Sequence, residues 1–128
     1  MTAIGSSAFR QCTSLSAVTI PKSVVDINNY AFGHCSSLDS VAVPDSVASI
    51  GKFAFEYCTK LSSVTLPGSV TAIDIGAFRR CPNLSSIAIP ESVTVINGYT
   101  FDRCTSLNSV VIPKSVAKIV AMAFIGCD

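Results

Sequence analysis

Charged residues are scarce in this sequence. Only 13% of the 128 residues are Asp, Glu, Lys or Arg, while 49% are hydrophobic, so much of the chain must serve as core. The formal net charge is +1, which provides no overall field to attract nucleic acid or an acidic membrane. No segment approaches the roughly 20 consecutive apolar residues of a membrane-spanning helix. We therefore expect no nucleic-acid partner and no membrane insertion of this segment.

A catalytic constellation is also missing. His34 is the single histidine, and none of the cysteines has the His and Asp neighbours that activate a nucleophile. The sequence contains no glycine-rich phosphate loop and no C-x-x-C or Cys/His pair at zinc-ligand spacing. We expect no enzyme activity, no catalytic residue, no metal site and no cofactor.

The amino terminus lacks the basic and apolar regions of a signal peptide. Met1 falls in the repeat column of Val24, so the chain opens in the middle of a repeat. This position indicates a fragment of a longer chain or a short protein without caps.

What the sequence has in abundance is repetition, with a period of 23 residues. A fixed period of this length is typical of a solenoid, in which each repeat buries its apolar side by stacking on its neighbours. The cysteine column consists of Cys12, Cys35, Cys58, Cys81, Cys104 and Cys127. The phenylalanine column consists of Phe9, Phe32, Phe55, Phe78, Phe101 and Phe124.

The repeat consensus is L-x-x-[VI]-x-[ILV]-P-x-S-V-x-x-I-x-x-x-[AT]-F-x-x-C. Its first part alternates, as in Val18 and Ile20, and this alternation predicts a short strand that the following proline ends. Val24 and Ile27 then predict a second, extended side, and the A-F-x-x-C segment predicts one helical turn. We expect five parallel, in-register strands, centred on residues 18, 41, 64, 87 and 110.

Two polar columns predict how the chain turns. Ser23 and its equivalents follow the prolines, where a hydroxyl can bond to nearby backbone. Val120 departs from a later column of residues that tolerate positive φ, which predicts a distorted final turn or an altered end. The members of that column, where we expect tight turns, are Gly5, Asn28, Gly51, Asp74 and Asn97.

The cysteine column favours buried free thiols over disulfides or metal ligands. Equivalent positions on neighbouring rungs stack about 4.8 Å apart with parallel side chains. A disulfide prefers Cβ atoms about 3.8 Å apart. We therefore expect these side chains to pack as small hydrophobic groups in the core.

The repeat resembles the BspA-like class of leucine-rich repeats, whose I-P-x-S-V-x-x-I, A-F and C-x-x-L-x-x-[VI]-x-[IL]-P segments recur along this chain. The resemblance implies an α/β repeat solenoid, a right-handed leucine-rich-repeat coil. Each repeat would have one short parallel strand and a short helical or 3-10 turn on the opposite side. It implies a single domain over 1–128, with a partial repeat 1–12 and five repeats at 13–35, 36–58, 59–81, 82–104 and 105–127.

The same resemblance implies a function. Members look like surface adhesins of host-associated bacteria and parasitic protists that bind extracellular-matrix proteins, such as fibronectin or fibrinogen, or other cells. It therefore implies a non-catalytic protein-binding module for adhesion or host interaction, at the cell surface or secreted. Free thiols and the missing signal peptide favour the alternative of a cytoplasmic protein-interaction scaffold. A structural spacer within a longer surface protein is a further alternative.

Binding in a solenoid falls to the outward positions, which here form two contrasting surfaces. Outward positions of the strands are all small and uncharged, so they provide no aromatic or arginine anchor. The residue before A-F and the residue four positions later instead carry rings and arginines. We predict ligand binding by these side chains, with the alternative that they only cover the flank of the core. The predicted site residues are Tyr30, His34, Phe53, Tyr57, Arg80, Tyr99 and Arg103.

Further predictions concern the arginines and the carboxyl-terminal end. Tyr99 is expected to form a cation–π pair with Arg103. The cluster of Arg79, Arg80 and Arg103 either meets an anionic polymer or joins neighbouring carboxylates in a solvated ion-pair surface. Residues 120–125 are apolar, so they either pair with another chain, giving end-to-end self-association, or are covered by further sequence.

Overall fold

Each repeat of the chain builds one rung of a parallel β-solenoid. The computed structural model describes residues 2–127, and Met1, which the sequence places in the Val24 column, lies with Asp128 outside the described residues. Paired residues of successive rungs are 23 positions apart, as in Ala3 opposite Asp26. The strands, numbered in chain order, are β1 Ala3–Ile4, β2 Asp26–Ile27, β3 Ser40–Ala42, β4 Ser49–Ile50, β5 Ser63–Thr65, β6 Ala72–Ile73, β7 Ser86–Ala88, β8 Val95–Ile96, β9 Ser109–Val111 and β10 Lys118–Ile119.

The first side of the solenoid holds the longer strands. β3 pairs with β5 and β7 pairs with β9, all in parallel, as in the pairing of Val41 with Val64. The central residue of each strand is more buried than its two neighbours. Four of the five predicted strands are therefore confirmed. No strand forms around residue 18, although the Asp39 N–H donates to the Ser16 carbonyl at 3.2 Å.

The second side also forms strands. β1, β2, β4 and β6 make a four-stranded parallel sheet, and β8 pairs with β10. The isoleucine that ends β2, β4, β6 and β8 is buried in each case, which confirms the predicted extended second side. The expectation of one strand per repeat was wrong, because this side also satisfies its backbone polar groups by pairing with the next rung.

The third side, which we call the turn side, consists of turns. Within residues 2–127 the structure contains no helix, so the predicted helical or 3-10 turn at A-F-x-x-C does not form. Alternate N–H groups donate locally and between rungs: Ala31 donates to Asn28 at 3.2 Å, whereas Phe32 donates to Ala54 on the next rung at 2.8 Å. In an α-helix both N–H groups would donate to carbonyls of the same turn. Here one of them donates to the next rung instead, so a helix does not form.

Positive φ occurs on the turn side, two residues beyond the predicted column. Asn28 accepts the bond that closes a turn from Ala31, and the third residue of that turn, Tyr30, has a φ of 59°. This is the turn position that requires positive φ in a type II turn. The predicted column of Gly5, Asn28, Gly51, Asp74 and Asn97 thus opens the turns but does not adopt positive φ. Val120 accepts the equivalent bond from Ala123 at 3.2 Å, so the final turn is not distorted there.

Two stacked columns fill the core between the sides. The phenylalanine rings lie 5.2 to 5.8 Å apart between centroids, with interplanar angles of 3° to 16°. Such ring pairs contribute about 0.5–1.5 kcal/mol each beyond their burial. Each thiol from Cys35 to Cys127 donates to the phenylalanine carbonyl 26 residues earlier, over 2.8 to 3.2 Å. The predicted column of free thiols is confirmed, with its four middle members buried.

Burial also fixes the charge state of these thiols. Loss of solvent raises the pKa of Cys58 and of Cys104 to about 12, from an ordinary value of 9.0. Burial raises the pKa of the Cys81 thiol well above that ordinary value. The thiols therefore stay protonated at neutral pH, which keeps their protons available to the phenylalanine carbonyls.

Three of the recurring serines, Ser69, Ser92 and Ser115, link rungs. Ser69 Oγ donates to the Val47 carbonyl at 2.7 Å, and Ser115 Oγ donates to the Val93 carbonyl at 3.0 Å. The predicted bond to backbone is confirmed for these three, but its acceptor belongs to the preceding rung rather than to the local turn. The prediction was wrong for Ser46, whose buried Oγ has no hydrogen-bond partner in residues 2–127.

Candidate functional site

The outward positions of the first side form what we call the strand face. Its side chains are exposed and uncharged, and the largest is Val111. As predicted, this surface provides no arginine or aromatic anchor for a partner. The strand face consists of Ser40, Ala42, Ser63, Thr65, Ser86, Ala88, Ser109 and Val111.

All seven predicted site residues lie on the turn side, and all have positive φ. Their φ angles fall between 55° and 61°. We call this set the turn-side stripe: Tyr30, His34, Phe53, Tyr57, Arg80, Tyr99 and Arg103. The structure brings them together in two columns that stand side by side along the solenoid, and the sequence pattern alone identified both.

The first column is interrupted by a glycine. The Tyr30 and Phe53 rings stack with centroids 5.2 Å apart. The Phe53 ring then lies against Gly76, where an added Cβ atom would come within 2.3 Å of Phe53 Cε1. Gly76 itself has a φ of 64°. The column therefore consists of one stacked pair seated on Gly76, with Tyr99 separate from it.

The second column is a mixed stack. The His34 and Tyr57 rings stack at 4.6 Å between centroids, and the guanidinium of Arg80 lies 5.1 Å from the Tyr57 centroid. Arg103 follows on the next rung, with 61% of its side chain exposed. Arg103 is thus the most exposed member of this column.

Between the two columns runs a charged row, which the sequence predicts only as a surface feature. Arg79 Nε donates to Asp102 at 2.8 Å, and Arg79 Nη1 lies 3.4 Å from Glu56 Oε1. Asp102 is 2% exposed and Glu56 is 8% exposed, so the predicted solvated ion-pair surface is instead a largely buried ion-pair row. The hydrogen bond to Asp102, followed by attraction to Asp102 and Glu56, raises the pKa of Arg79. The sequence does contain a signal for this ion-pair row, because Glu56, Arg79 and Asp102 occupy one repeat column, 23 positions apart.

The predicted cation–π pair also has a different partner. Arg79, and not Arg103, places its guanidinium 5.4 Å from the Tyr99 ring centroid. Arg103 Nε instead lies 3.9 Å from Asp102 Oδ1. The buried carboxylate draws both arginines to one point, and this tertiary contact decides which cation covers the ring.

A shallow depression opens at the arginine end of the turn-side stripe. It is lined by Tyr57, Thr59, Arg80, Pro82 and Arg103. Tyr57 and Pro82 contribute apolar surface to the lining, and Arg80 and Arg103 contribute two cationic side chains. The depression offers one apolar contact and two cationic donors to a partner.

The arrangement does not resemble a reaction site. Four thiols are buried, and burial raises the pKa of Cys58 and Cys104 to about 12 and that of Cys81 well above its ordinary value, so these thiols are poor nucleophiles. His34 Nε2 lies 3.9 Å from Glu56 Oε2, but the ring is stacked on Tyr57. Across residues 2–127 no group of three or more His, Cys, Asp or Glu side chains could hold a metal ion. No helix in that range is long and apolar enough to cross a membrane.

Comparison with solved structures finds the same fold in bacterial repeat proteins. A leucine-rich cell surface protein from Faecalibacterium prausnitzii is 41% identical, with a TM-score of 0.80, over 85% of this chain and 28% of that chain. A leucine-rich repeat protein from Bacteroides ovatus is 39% identical, with a TM-score of 0.85, over 90% of this chain and 30% of that chain. The leucine-rich repeat protein of Treponema pallidum is 28% identical, with a TM-score of 0.85, over 92% of this chain and 62% of that one. This chain thus spans less than two thirds of each.

Comparison with family models agrees with the rungs seen in the structure. No curated protein gives a significant match. Six copies of the model for the BspA type leucine rich repeat region match residues 2–128. The chain therefore belongs to the BspA-type leucine-rich repeat family.

Proposed function

We propose that this chain is a non-catalytic protein-binding module and that the turn-side stripe is its binding surface. Leucine-rich repeats are interaction scaffolds, and Tyr and Arg are the residues that most often anchor protein interfaces. On this chain such residues are gathered on the turn side, while the strand face has only small, uncharged side chains.

The observation that carries this proposal is the backbone of Arg103, which has a φ of 57°. A left-handed conformation costs a residue other than glycine roughly 1–2 kcal/mol. Stacking worth about 0.5–1.5 kcal/mol offsets this cost for the ring pairs Tyr30–Phe53 and His34–Tyr57. Within residues 2–127 the side chain of Arg103 forms one ion pair, the 3.9 Å contact with Asp102, and a pair that long with an exposed arginine contributes at most about 1 kcal/mol.

Folding alone therefore does not account for a large side chain at that position. Glycine occupies the equivalent position at Gly126, so the architecture accepts it. Backbone strain that packing does not offset is a feature of binding surfaces. We infer that Arg103 is placed there for contact with a partner.

We further propose adhesion at the cell surface as the role of this module, through contact with extracellular-matrix proteins or other cells. Its support is the family and the likeness to the cell surface protein of F. prausnitzii. The alternatives are a structural spacer and an intracellular protein-interaction scaffold. The free thiols favour the scaffold, because cytosolic proteins keep their cysteines reduced.

The test is binding of the chain to a panel of matrix proteins, including fibronectin and fibrinogen, by surface plasmon resonance. The stripe variant replaces Tyr30, Phe53, Tyr99 and Arg103 together by alanine. The matched control replaces Ser40, Ser63, Ser86 and Ser109 of the strand face by alanine. Saturable binding that only the stripe variant loses supports the proposal. Binding lost only in the control would contradict the site, and no binding by any variant would favour a spacer.

We also propose that the last rung associates with another chain or with further repeats. Its exposed hydrophobic side chains Ile119, Met122 and Ile125 are each about half exposed, at 49% to 51%. Solenoids normally cover such a surface with another repeat or a polar cap. Light scattering should show a mass that rises with concentration. A constant monomer mass at high concentration would exclude pairing with a second copy.

A further inference from the structure

We propose that the depression at the arginine end of the turn-side stripe binds an acidic peptide segment, whose carboxylate is held by Arg80 and Arg103. This inference rests on the proposed protein-binding function and specifies the kind of partner. It starts from how three of the arginines of the turn side, Arg79, Arg80 and Arg103, are neutralised.

Arg79 is committed to the protein itself. Its guanidinium lies between Glu56 and Asp102, at 3.4 and 2.8 Å, and against the Tyr99 ring. The row has two carboxylates, and Arg79 takes the short contact to each. An incoming anion therefore finds this cation already neutralised.

Arg80 lacks such a partner. In the part of the chain that the structure describes, it forms no ion pair, and its buried Nε has no hydrogen-bond acceptor. Its contact is the face of the Tyr57 ring, which leaves the edge of the guanidinium plane without an acceptor. A charged donor without an acceptor is costly. Because Nε is buried, an incoming carboxylate would reach this guanidinium through its Nη groups, from the depression that Arg80 lines.

Arg103 lies one rung further along the same column. Its side chain is 61% exposed, and its ion pair with Asp102 is long, at 3.9 Å. Equivalent positions on neighbouring rungs are about 4.8 Å apart, so a single carboxylate can accept from both arginines. Both side chains line the same depression, together with Tyr57 and Pro82.

The surroundings favour an acidic peptide over a polyanion. A sulfated glycan needs a row of cations, but the whole chain has a net charge of +1 and the carboxylates of Glu56 and Asp102 lie beside the arginines. One carboxylate beside an apolar side chain matches two cations beside the rings of Tyr57 and Pro82. The expected ligand is therefore a protein segment that presents Asp or Glu next to an apolar residue.

The test is a titration of the ¹⁵N-labelled chain with the peptide acetyl-Gly-Leu-Glu-Leu-Gly-amide, followed by the Nε–Hε resonances of its arginines. The control peptide has Gln in place of Glu. Saturable shifts of the Arg80 and Arg103 resonances with the Glu peptide alone support the proposal. Equal shifts with the Gln peptide would overturn it, because the carboxylate would then contribute nothing.

Substitutions make the test specific. Arg80→Gln should weaken binding of the Glu peptide about tenfold to a hundredfold, the effect of losing one charge-assisted hydrogen bond. Arg103→Gln, at an exposed position, should weaken it similarly and covers the case in which the Arg80 variant folds poorly. The control is Arg10→Gln, since Arg10 also covers a tyrosine, 4.7 Å from the Tyr30 centroid, but has no second arginine beside it. Equal losses in all three variants would overturn the site.

A heparin oligosaccharide tests the remaining class of ligand, the sulfated polyanions. If it shifts the Arg10 resonance as strongly as the Arg80 resonance, the surface attracts polyanions in general and the proposal is wrong. If the Glu peptide fails to bind while the stripe variant still loses its binding to a matrix protein, the acidic partner is wrong and the protein-binding function stands.

Discussion

The strand face and the turn side both stack rung on rung, but they carry different kinds of side chain. Both repeat every 23 residues and both bond to the next rung through the backbone. On the strand face the chain is extended, and small residues fill the outward positions. On the turn side the outward positions have positive φ, yet they hold rings and arginines. This difference shows that the conformational preference of a residue type for positive φ does not explain which residues occupy the turn side.

Two physical effects offset the cost of positive φ on the turn side. Bonds between rungs, such as Tyr30 N–H to the Lys52 carbonyl at 3.0 Å, hold the backbone in place whatever the side chain. Rings in equivalent positions then stack on each other and recover part of the strain. The strand face needs neither effect, because extended backbone is unstrained for most residues.

The largest effect expected from any single substitution tests whether the turn side depends on its glycine. Gly76→Ala should reduce the free energy of unfolding by about 3 kcal/mol, because it adds left-handed strain and a clash with the Phe53 ring. Urea denaturation measures the loss. The control is Gly68→Ala, where no atom lies within 4 Å of the added Cβ, and its effect should stay within about 0.5 kcal/mol.

A second substitution separates the two causes. Phe53→Ala in the Gly76→Ala background removes the ring that the new Cβ meets, so part of the loss should return. If the two substitutions were simply additive, the clash with Phe53 would play no role.

The next effect concerns the thiols that line the turn side. Unfolded thiols lose their protons above about pH 9, whereas Cys58 and Cys104 hold theirs to about pH 12 when folded. Unfolding therefore releases protons between these values, and stability falls as the pH rises through this window and is unaffected below it. Each of the two thiols should remove about 1.4 kcal/mol of unfolding free energy per pH unit inside this window.

Urea midpoints across this alkaline range provide the measurement. The variant with Cys58→Ala and Cys104→Ala should show a shallower decline, while Cys12→Ala, at a half-exposed position, serves as the control. Parallel declines for all three proteins would mean that the buried thiols do not set the alkaline limit.

The smallest effect is expected from glycine substitutions, which should change the stability in opposite directions on the two surfaces. Ser7→Gly should stabilise the protein by about 0.5 kcal/mol, because glycine relieves the left-handed strain at a φ of 60°. Ser63→Gly, on the strand face, should destabilise it by about 0.5–1 kcal/mol, because glycine weakens a strand. Thermal unfolding of both variants gives the comparison, and effects of equal sign would show that φ does not distinguish the surfaces.

The sequence pattern predicted the site better than it predicted the local backbone. Tyr30 and His34 were assigned to one surface from their spacing around A-F, and they lie on one surface, but in turns rather than in a helical turn. Positive φ was expected at Asn28, whose type tolerates it, and occurs at Tyr30, whose type does not. Residue preference misled here because hydrogen bonds to the next rung outweigh it.

By itself the sequence determined the rung length, the parallel register and the buried columns of phenylalanine and cysteine. A 23-residue period allows equivalent residues to stack, and apolar columns have to face inward to be removed from water. Tertiary structure alone decided the left-handed positions of the turn side and the pairing of Arg79 with Glu56 and Asp102. Both depend on atoms of neighbouring rungs, 22 or 23 residues away, and no local preference encodes such contacts.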